Sequence, residues 1–226
     1  PGVKVDVPKD VYPPRKGKPE YSRNKEQWVP GPDGFPVLKA GRFAGRTVSG
    51  KFIHGTDLHS LERQYNQGVL AIDDGVGRLI KALKETGQYE NTLIVFGADQ
   101  GIAWGQKGFQ MKLAPYDGTI RGPLIVSMPK KFPTGKVCPK PVGGADLVPT
   151  FFKTAELDLP WKMHGRDLTP LLEQPGRKDW KTPLLLAHTG MSFGEDCDEV
   201  IDMKDDPIYQ KQRVPWWVSL RTDRYK

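Results

Sequence analysis

The sequence is poor in cysteine and histidine, and neither residue type forms a pattern that would hold a structural metal. No pair among the four histidines has the spacing of a zinc site. The two cysteines, Cys138 and Cys197, lie 59 positions apart, which fits a disulfide and equally two unrelated thiols. A chain of 226 residues can bury a core without disulfides. The cysteines therefore leave the redox environment open.

The sequence also lacks any apolar run near the ~20 residues that a membrane-spanning helix needs, so we predict no membrane span. The first 14 residues contain no basic region followed by an apolar stretch, so no signal peptide is visible. The net charge is +7, but the basic residues are interleaved with acidic ones rather than clustered. This charge pattern argues against specific nucleic-acid binding and fits an anionic substrate.

Hydrophobic periodicity predicts alternating helices and strands. Apolar residues recur every three or four positions from Leu58 to Thr86, which indicates one face of a long amphipathic helix. Asp57 can cap its start and Gly87 its end. The run Thr92–Phe96 follows, and its β-branched and aromatic residues predict a strand buried on both faces of a parallel sheet.

Other segments carry weaker signals of the same kind. The first 40 residues are crowded with proline and are predicted to be loop. We predict strands at Pro123–Met128, Pro183–His188 and Trp216–Arg221, and helices at Asp146–Thr154 and Leu168–Leu172.

Two polar residues follow the predicted strand Thr92–Phe96 at its carboxyl end, which is where ligands bind in open α/β sheets. The carboxylate of Asp99 and the amide oxygen of Gln100 are hard ligands suited to Ca²⁺ or Mg²⁺, and Gly101 permits a sharp turn. Lys112 lies twelve positions after Gln100, and its ammonium can neutralise a sulfate or phosphate oxyanion. Taken singly, these residues can equally be a turn and a solvated lysine.

Three consecutive stretches together resemble the second signature region of the formylglycine-dependent sulfatases. They are Phe96-Gly-Ala-Asp-Gln-Gly101, Gly105-Gln-Lys-Gly-Phe-Gln-Met-Lys112 and Tyr116-Asp-Gly-Thr-Ile-Arg121-Gly-Pro-Leu-Ile-Val126, and their spacing matches the family without a gap. Later elements also resemble the family: Asp146-Leu-Val-Pro-Thr150, His164-Gly-Arg-Asp-Leu-Thr-Pro-Leu-Leu172 and Arg221-Thr-Asp-Arg-Tyr-Lys226.

The resemblance implies an α/β fold of the alkaline phosphatase and sulfatase type, a sandwich whose mixed central sheet is incomplete here and is followed by the start of a small C-terminal antiparallel sheet. It implies a loop-rich insertion at 1–56, the C-terminal part of the catalytic domain at 57–175 and a partial C-terminal subdomain at 176–226. It also implies a periplasmic or secreted protein.

For the chemistry, the resemblance implies that Asp99 and Gln100 ligate a divalent cation, usually Ca²⁺ with Mg²⁺ as the alternative, and that Lys112 binds the sulfate oxygens. The implied reaction is hydrolysis of a sulfate ester, with a sulfated carbohydrate as a candidate substrate. Lys107, which stands where many relatives have histidine, Trp104 and His188 are further candidates for substrate contact. For Trp104 and His188 a packing role is the stronger interpretation.

The family's nucleophile is a formylglycine made from the first residue of a Cys/Ser-x-Pro-x-Arg motif, which this sequence lacks. Cys138 does not replace it, because proline follows directly and no arginine stands at the fifth position. We therefore expect the N-terminal half of the same sulfatase as a partner, and no catalysis by this chain alone. Two alternatives stay open: a phosphoryl or phosphonate ester hydrolase of the same superfamily, and a non-catalytic module that binds sulfated glycans.

Overall fold

The computed structural model describes residues 6–31, 34–39, 46–48, 51–53, 57–188, 202, 204–205, 209, 214 and 216–225. Cys197 lies outside them. The helices are α1 (Glu20–Arg23), α2 (Leu58–Glu85), α3 (Asp117–Ile120), α4 (Leu147–Thr154) and α5 (Thr169–Glu173). The strands are β1 (Trp28–Pro30), β2 (Pro36–Leu38), β3 (Arg46–Val48), β4 (Lys51–Ile53), β5 (Ile94–Gly97), β6 (Ala103–Trp104), β7 (Gln110–Met111), β8 (Leu124–Ser127), β9 (Leu184–His188) and β10 (Trp217–Arg221).

Helix α2 begins and ends at the residues that the sequence predicts. At its start, the Asp57 carboxylate accepts hydrogen bonds from the Ser60 N–H and hydroxyl, both at 2.8 Å, as an N-cap does. At its end, Gly87 adopts a φ of +69°, and the Gln88 N–H donates to the Leu83 carbonyl at 2.8 Å. This is the left-handed closure that favours glycine. Despite its 28 residues, α2 is too polar to cross a bilayer, and no other described helix is long and apolar enough.

The apolar face of α2 is present but largely exposed. Leu58 is fully buried at the first turn. Further along, Tyr65, Val69, Ile72 and Leu79 each keep between 42% and 54% of their surface accessible. An apolar stripe is buried only where another layer packs over it, and the described residues do not supply that layer.

The predicted strand after α2 forms, but its pairing differs from the prediction. Strand β5 pairs with β8 in antiparallel register, with Ile94 opposite Ser127 and Gly97 opposite Leu124. The expectation of a parallel pair is therefore wrong here, because the chain re-enters the ladder at the end where β5 stops. The expectation of burial on both faces is also wrong, since β5 is half-buried and Ile125 of β8 is 62% exposed. All ladders in the described part of the chain are two-stranded and antiparallel.

The chain forms two compact units. One comprises 1–78, 100–121 and 201–215, and the other comprises 79–99, 122–200 and 216–226. The core of the first unit is a cluster of four buried side chains, Val11, Trp28, Leu38 and Leu58. Three of the four come from the proline-rich stretch predicted to be loop, which is irregular but not peripheral. The insertion predicted for residues 1–56 stays a prediction, as do the other two domain boundaries.

In the second unit, a buried carboxylate joins two of the motifs that the sequence singled out. Asp146 precedes α4, and its carboxylate accepts hydrogen bonds from the Arg166 N–H at 2.8 Å and from Arg166 Nη2 at 2.9 Å. The hydroxyl of Thr150 donates to the Asp146 carbonyl and accepts from the Leu168 N–H at 2.8 Å. These bonds hold α4 against the segment that leads into α5.

Candidate functional site

The turn after β5 carries Asp99 and Gln100, and glycine packs closely on each side of it. A Cβ at Gly101 would lie 2.5 Å from the carbonyl oxygens of Gly118 and Arg121, and a Cβ at Gly122 would lie 2.8 Å from the Ala98 carbonyl oxygen. The Gly101 N–H also donates to the Thr119 carbonyl at 2.9 Å. Gly101 is therefore needed for close backbone approach, whereas the sequence indicated only a sharp turn.

Asp99 and Gln100 are consecutive in the chain, and the boundary between the two compact units falls between them. Asp99 is exposed and Gln100 is half-buried. Their oxygens suit a hard cation, but Ca²⁺ takes six to eight oxygen ligands. Among the described residues, no group of three or more His, Cys, Asp or Glu side chains can hold a metal ion. The two side chains fit part of a calcium site, whose other ligands must come from elsewhere.

Lys112 follows β7 in a turn that is held rigidly. The next residue, Leu113, has a φ of +80°, and Ala114 beyond it is fully buried. The Ala114 carbonyl accepts hydrogen bonds from the Thr119 hydroxyl and from the Tyr116 N–H. A bulky residue at positive φ persists only where its surroundings hold it, and such residues concentrate at functional sites. The half-buried Lys112 is thus presented by an ordered turn.

Lys107 lies in the same segment of the first unit and is held by an acidic residue that sequence reasoning missed. The Asp10 carboxylate accepts hydrogen bonds from the Lys107 N–H at 2.9 Å and from Lys107 Nζ at 3.2 Å. Burial alone would raise the pKa of Asp10, but these bonds and the lysine charge lower it. The two residues are 97 positions apart, so no local sequence pattern announces the pair.

Trp104 and His188 make contacts of the packing kind. The Trp104 ring meets Tyr65 edge-on, with ring centroids 5.2 Å apart, and borders the core cluster of the first unit. His188 ends β9 in the second unit, where its ring lies 6.4 Å from that of Trp217 on the paired strand. Substrate contact by either residue stays a prediction. Cys138 is an exposed free thiol.

Comparison with known proteins gives one consistent result. The family model described as Sulfatase matches residues 8–157. The N-acetylglucosamine-6-O-sulfatase of Bacteroides thetaiotaomicron is 33% identical over 184 residues, covering 71% of this chain and 33% of that protein. The arylsulfatase of Clostridium perfringens is 31% identical over 160 residues, covering 69% of this chain and 32% of that protein. The chain thus spans about a third of the length of these relatives.

Solved structures agree on the fold. A protein solved in complex with its substrate D-glucosamine-2-N,6-O-disulfate aligns with a TM-score of 0.56 and 27% identity, covering 74% of this chain and 31% of that one. A phosphonate monoester hydrolase from Silicibacter pomeroyi aligns with a TM-score of 0.61 and 28% identity, covering 76% and 33%. The fold is therefore that of the sulfatase and alkaline phosphatase type.

Proposed function

This chain belongs to the sulfatase family, and from that premise we propose that the intact protein hydrolyses sulfate esters and releases inorganic sulfate. The observation that carries the proposal is the family match across 8–157, which includes the turn of Asp99 and Gln100 and the loop of Lys112. A sulfated carbohydrate is the proposed substrate class, since one structural neighbour was solved with a disulfated glucosamine as its substrate.

In this proposal Asp99 and Gln100 hold a divalent cation, Ca²⁺ or Mg²⁺, through their side-chain oxygens. When bound, the cation would withdraw electron density from the sulfate oxygens. The Lys112 ammonium would bind the same oxygens and stabilise the negative charge that develops on them. Lys107, Trp104 and His188 are proposed as substrate contacts outside the reacting group.

The nucleophile is proposed to come from a formylglycine motif on the N-terminal half of the same sulfatase. Two observations support that partner. The chain spans about a third of its relatives' length, and α2 leaves an apolar face exposed. We propose that the N-terminal half packs on this face, and that the assembled protein is periplasmic or secreted, as the resemblance implies.

The cation ligands are tested by calorimetric titration of Ca²⁺ into the chain, alone and after mixing with an N-terminal sulfatase polypeptide. We expect Asp99→Asn to weaken Ca²⁺ binding by about tenfold or more, because a ligating carboxylate loses its charge. Asp74→Asn, which removes an exposed carboxylate from α2, is the matched control and should leave binding unchanged. Equal affinity for the wild type and Asp99→Asn would remove Asp99 from the site.

The reaction is tested by aryl-sulfate turnover of the same mixture. We expect Lys112→Gln to lower turnover by roughly 10²-fold to 10³-fold, as loss of an oxyanion donor does, while Ca²⁺ affinity persists. Turnover by the isolated chain would contradict the division of the site between two segments.

The second candidate function is phosphonate ester hydrolysis, which one observation favours: the structural similarity to a phosphonate monoester hydrolase. Faster turnover of a phosphonate monoester than of the sulfate ester would establish it. Saturable binding of a sulfated glycan, without turnover of either ester in the mixture, would instead indicate a non-catalytic module.

A further inference from the structure

Two lysines that are far apart in sequence share one aromatic ring in the first unit. The Lys18 Nζ atom lies 5.3 Å from the centroid of the Tyr116 ring, and the Lys107 Nζ atom lies 5.6 Å from the same centroid. Both separations are within the range of a cation–π interaction. Both lysines and Tyr116 are half-buried. We call these three residues the lysine–tyrosine cluster.

Lys107 is held in a backbone conformation that lysine seldom adopts. Its φ is +54° and its ψ is +23°, in the left-handed region, and the flanking Gly105 and Gly108 also have positive φ. The bonds from Lys107 to the Asp10 carboxylate fix this conformation. Asparagine or glycine would adopt the same backbone with less strain. A lysine kept here against that preference indicates that its ammonium has a use.

Positive charge is in excess around the cluster. Burial, and after it the neighbouring Lys107 ammonium, lower the pKa of Lys18, although the charge of Asp10 acts in the opposite direction. The guanidinium of Arg15 is also close, because its Nε donates to the Asp10 carbonyl at 2.8 Å. One carboxylate therefore faces three cations. An anion between the two ammonium groups would relieve their repulsion and accept charge-assisted hydrogen bonds from both.

We propose that the lysine–tyrosine cluster is a binding subsite for a second anionic group of the substrate, a sulfate or carboxylate other than the ester that is cleaved. The inference rests on the proposed function. The cluster and Lys112 are linked through one short stretch of chain, since Lys107, Lys112 and Tyr116 all lie between Gln100 and Arg121 of the same unit. The cluster would thus select substrates that carry more than one acidic group.

The test is calorimetric titration with inorganic sulfate, carried out in a Lys112→Gln background so that binding at Lys112 does not contribute. We expect Lys18→Gln and Lys107→Asn each to weaken sulfate binding by about tenfold or more, since each removes one charge-assisted contact. Asparagine is chosen at position 107 because it tolerates the left-handed backbone.

Lys16→Gln is the matched control, because Lys16 is an exposed lysine two positions from Lys18. It should leave sulfate affinity within about twofold of the parent, as expected when only distant, screened charge is removed. No saturable binding by the parent chain would overturn the proposal. So would an equal loss in all three variants, which would indicate a general effect of net charge.

A second measurement separates this subsite from the proposed reaction. In the mixture with the N-terminal polypeptide, we expect Lys18→Gln to raise the KM for a disulfated monosaccharide about tenfold and to leave that for an aryl sulfate unchanged. Equal effects on both substrates would overturn the subsite. Absence of all turnover, together with sulfate binding that depends on Lys18 and Lys107, would contradict the proposed function while supporting the anion site.

Discussion

At the scale of single residues, the buried Arg15 is the side chain whose role is best defined. It is 3% exposed, and its guanidinium donates hydrogen bonds only to backbone carbonyls among the contacts described. The acceptors are Asp10, Val11, Ser22 and Lys25. A Cβ at Gly108 would lie 1.9 Å from this guanidinium, so the glycine makes room for it. Arg15 therefore ties the irregular N-terminal stretch together.

We predict that Arg15→Lys lowers the free energy of unfolding by about 2–4 kcal/mol, because a single ammonium cannot satisfy four buried carbonyls. Arg23→Lys is the control, since Arg23 is exposed and donates through Nε to the Lys18 carbonyl. Its effect should stay within about 0.5 kcal/mol. Urea unfolding followed by tryptophan fluorescence measures both, and equal midpoints for the two variants would contradict the prediction.

The residues that sequence reasoning found and missed differ in how local their signals are. Asp99, Gln100 and Lys112 were identifiable because each is read from neighbours in one continuous motif. Asp10 and Lys18 were not, because their partner Lys107 lies roughly 90 positions away and only the fold joins them. The strain at Lys107 was equally hidden, since positive φ in a non-glycine residue has no sequence signature.

At the scale of elements, the sequence predicted where helices and strands lie better than how they pair. The bounds of α2 follow from periodicity and its two caps, which are local properties. The pairing of β5 with β8 is not local, because thirty residues of turns and short elements decide the direction in which the chain returns. Likewise, the periodicity of α2 shows which face is apolar without showing what covers it.

Helix α4 offers a prediction at this scale, because two of its threonines have opposite environments. The Thr150 hydroxyl makes two hydrogen bonds, and one satisfies the N–H of the buried Leu168. The Thr154 hydroxyl oxygen is buried with no hydrogen-bond partner among the described residues. We predict that Thr150→Val destabilises the protein by about 1–3 kcal/mol, since it leaves that N–H unpaired.

Thr154→Val is the matched control for this prediction. It removes a hydroxyl that has no partner to lose, so it should be neutral or slightly stabilising. Urea unfolding gives both free energies, and hydrogen exchange should show faster exchange of the Leu168 amide in Thr150→Val alone. Unchanged exchange at Leu168 would mean that the Thr150 bond does not hold α4 to the segment before α5.

At the scale of the whole molecule, the fold similarity and the exposed surface lead to the same conclusion. A chain spanning a third of its relatives aligns with solved sulfatase-type folds at TM-scores above 0.5. Yet it keeps Ile72 of α2 and Ile125 of β8 more than half exposed. Large apolar patches of this kind mark surfaces that other parts of a protein cover. The proposed N-terminal half would cover the face of α2, and this can be tested by charge.

We predict that Ile72→Asp in α2 weakens association with the N-terminal sulfatase polypeptide by about tenfold or more, because a carboxylate would be buried without a partner. Gln67→Asp is the control: at 100° per residue, position 67 lies on the side of α2 opposite Tyr65, Val69 and Ile72. Both positions are exposed in the chain itself, so both variants should fold alike. Calorimetric titration of the two polypeptides measures the association. If Gln67→Asp weakened it as much as Ile72→Asp, the partner would not pack on the apolar face, and the surface for the missing half of the site would have to lie elsewhere.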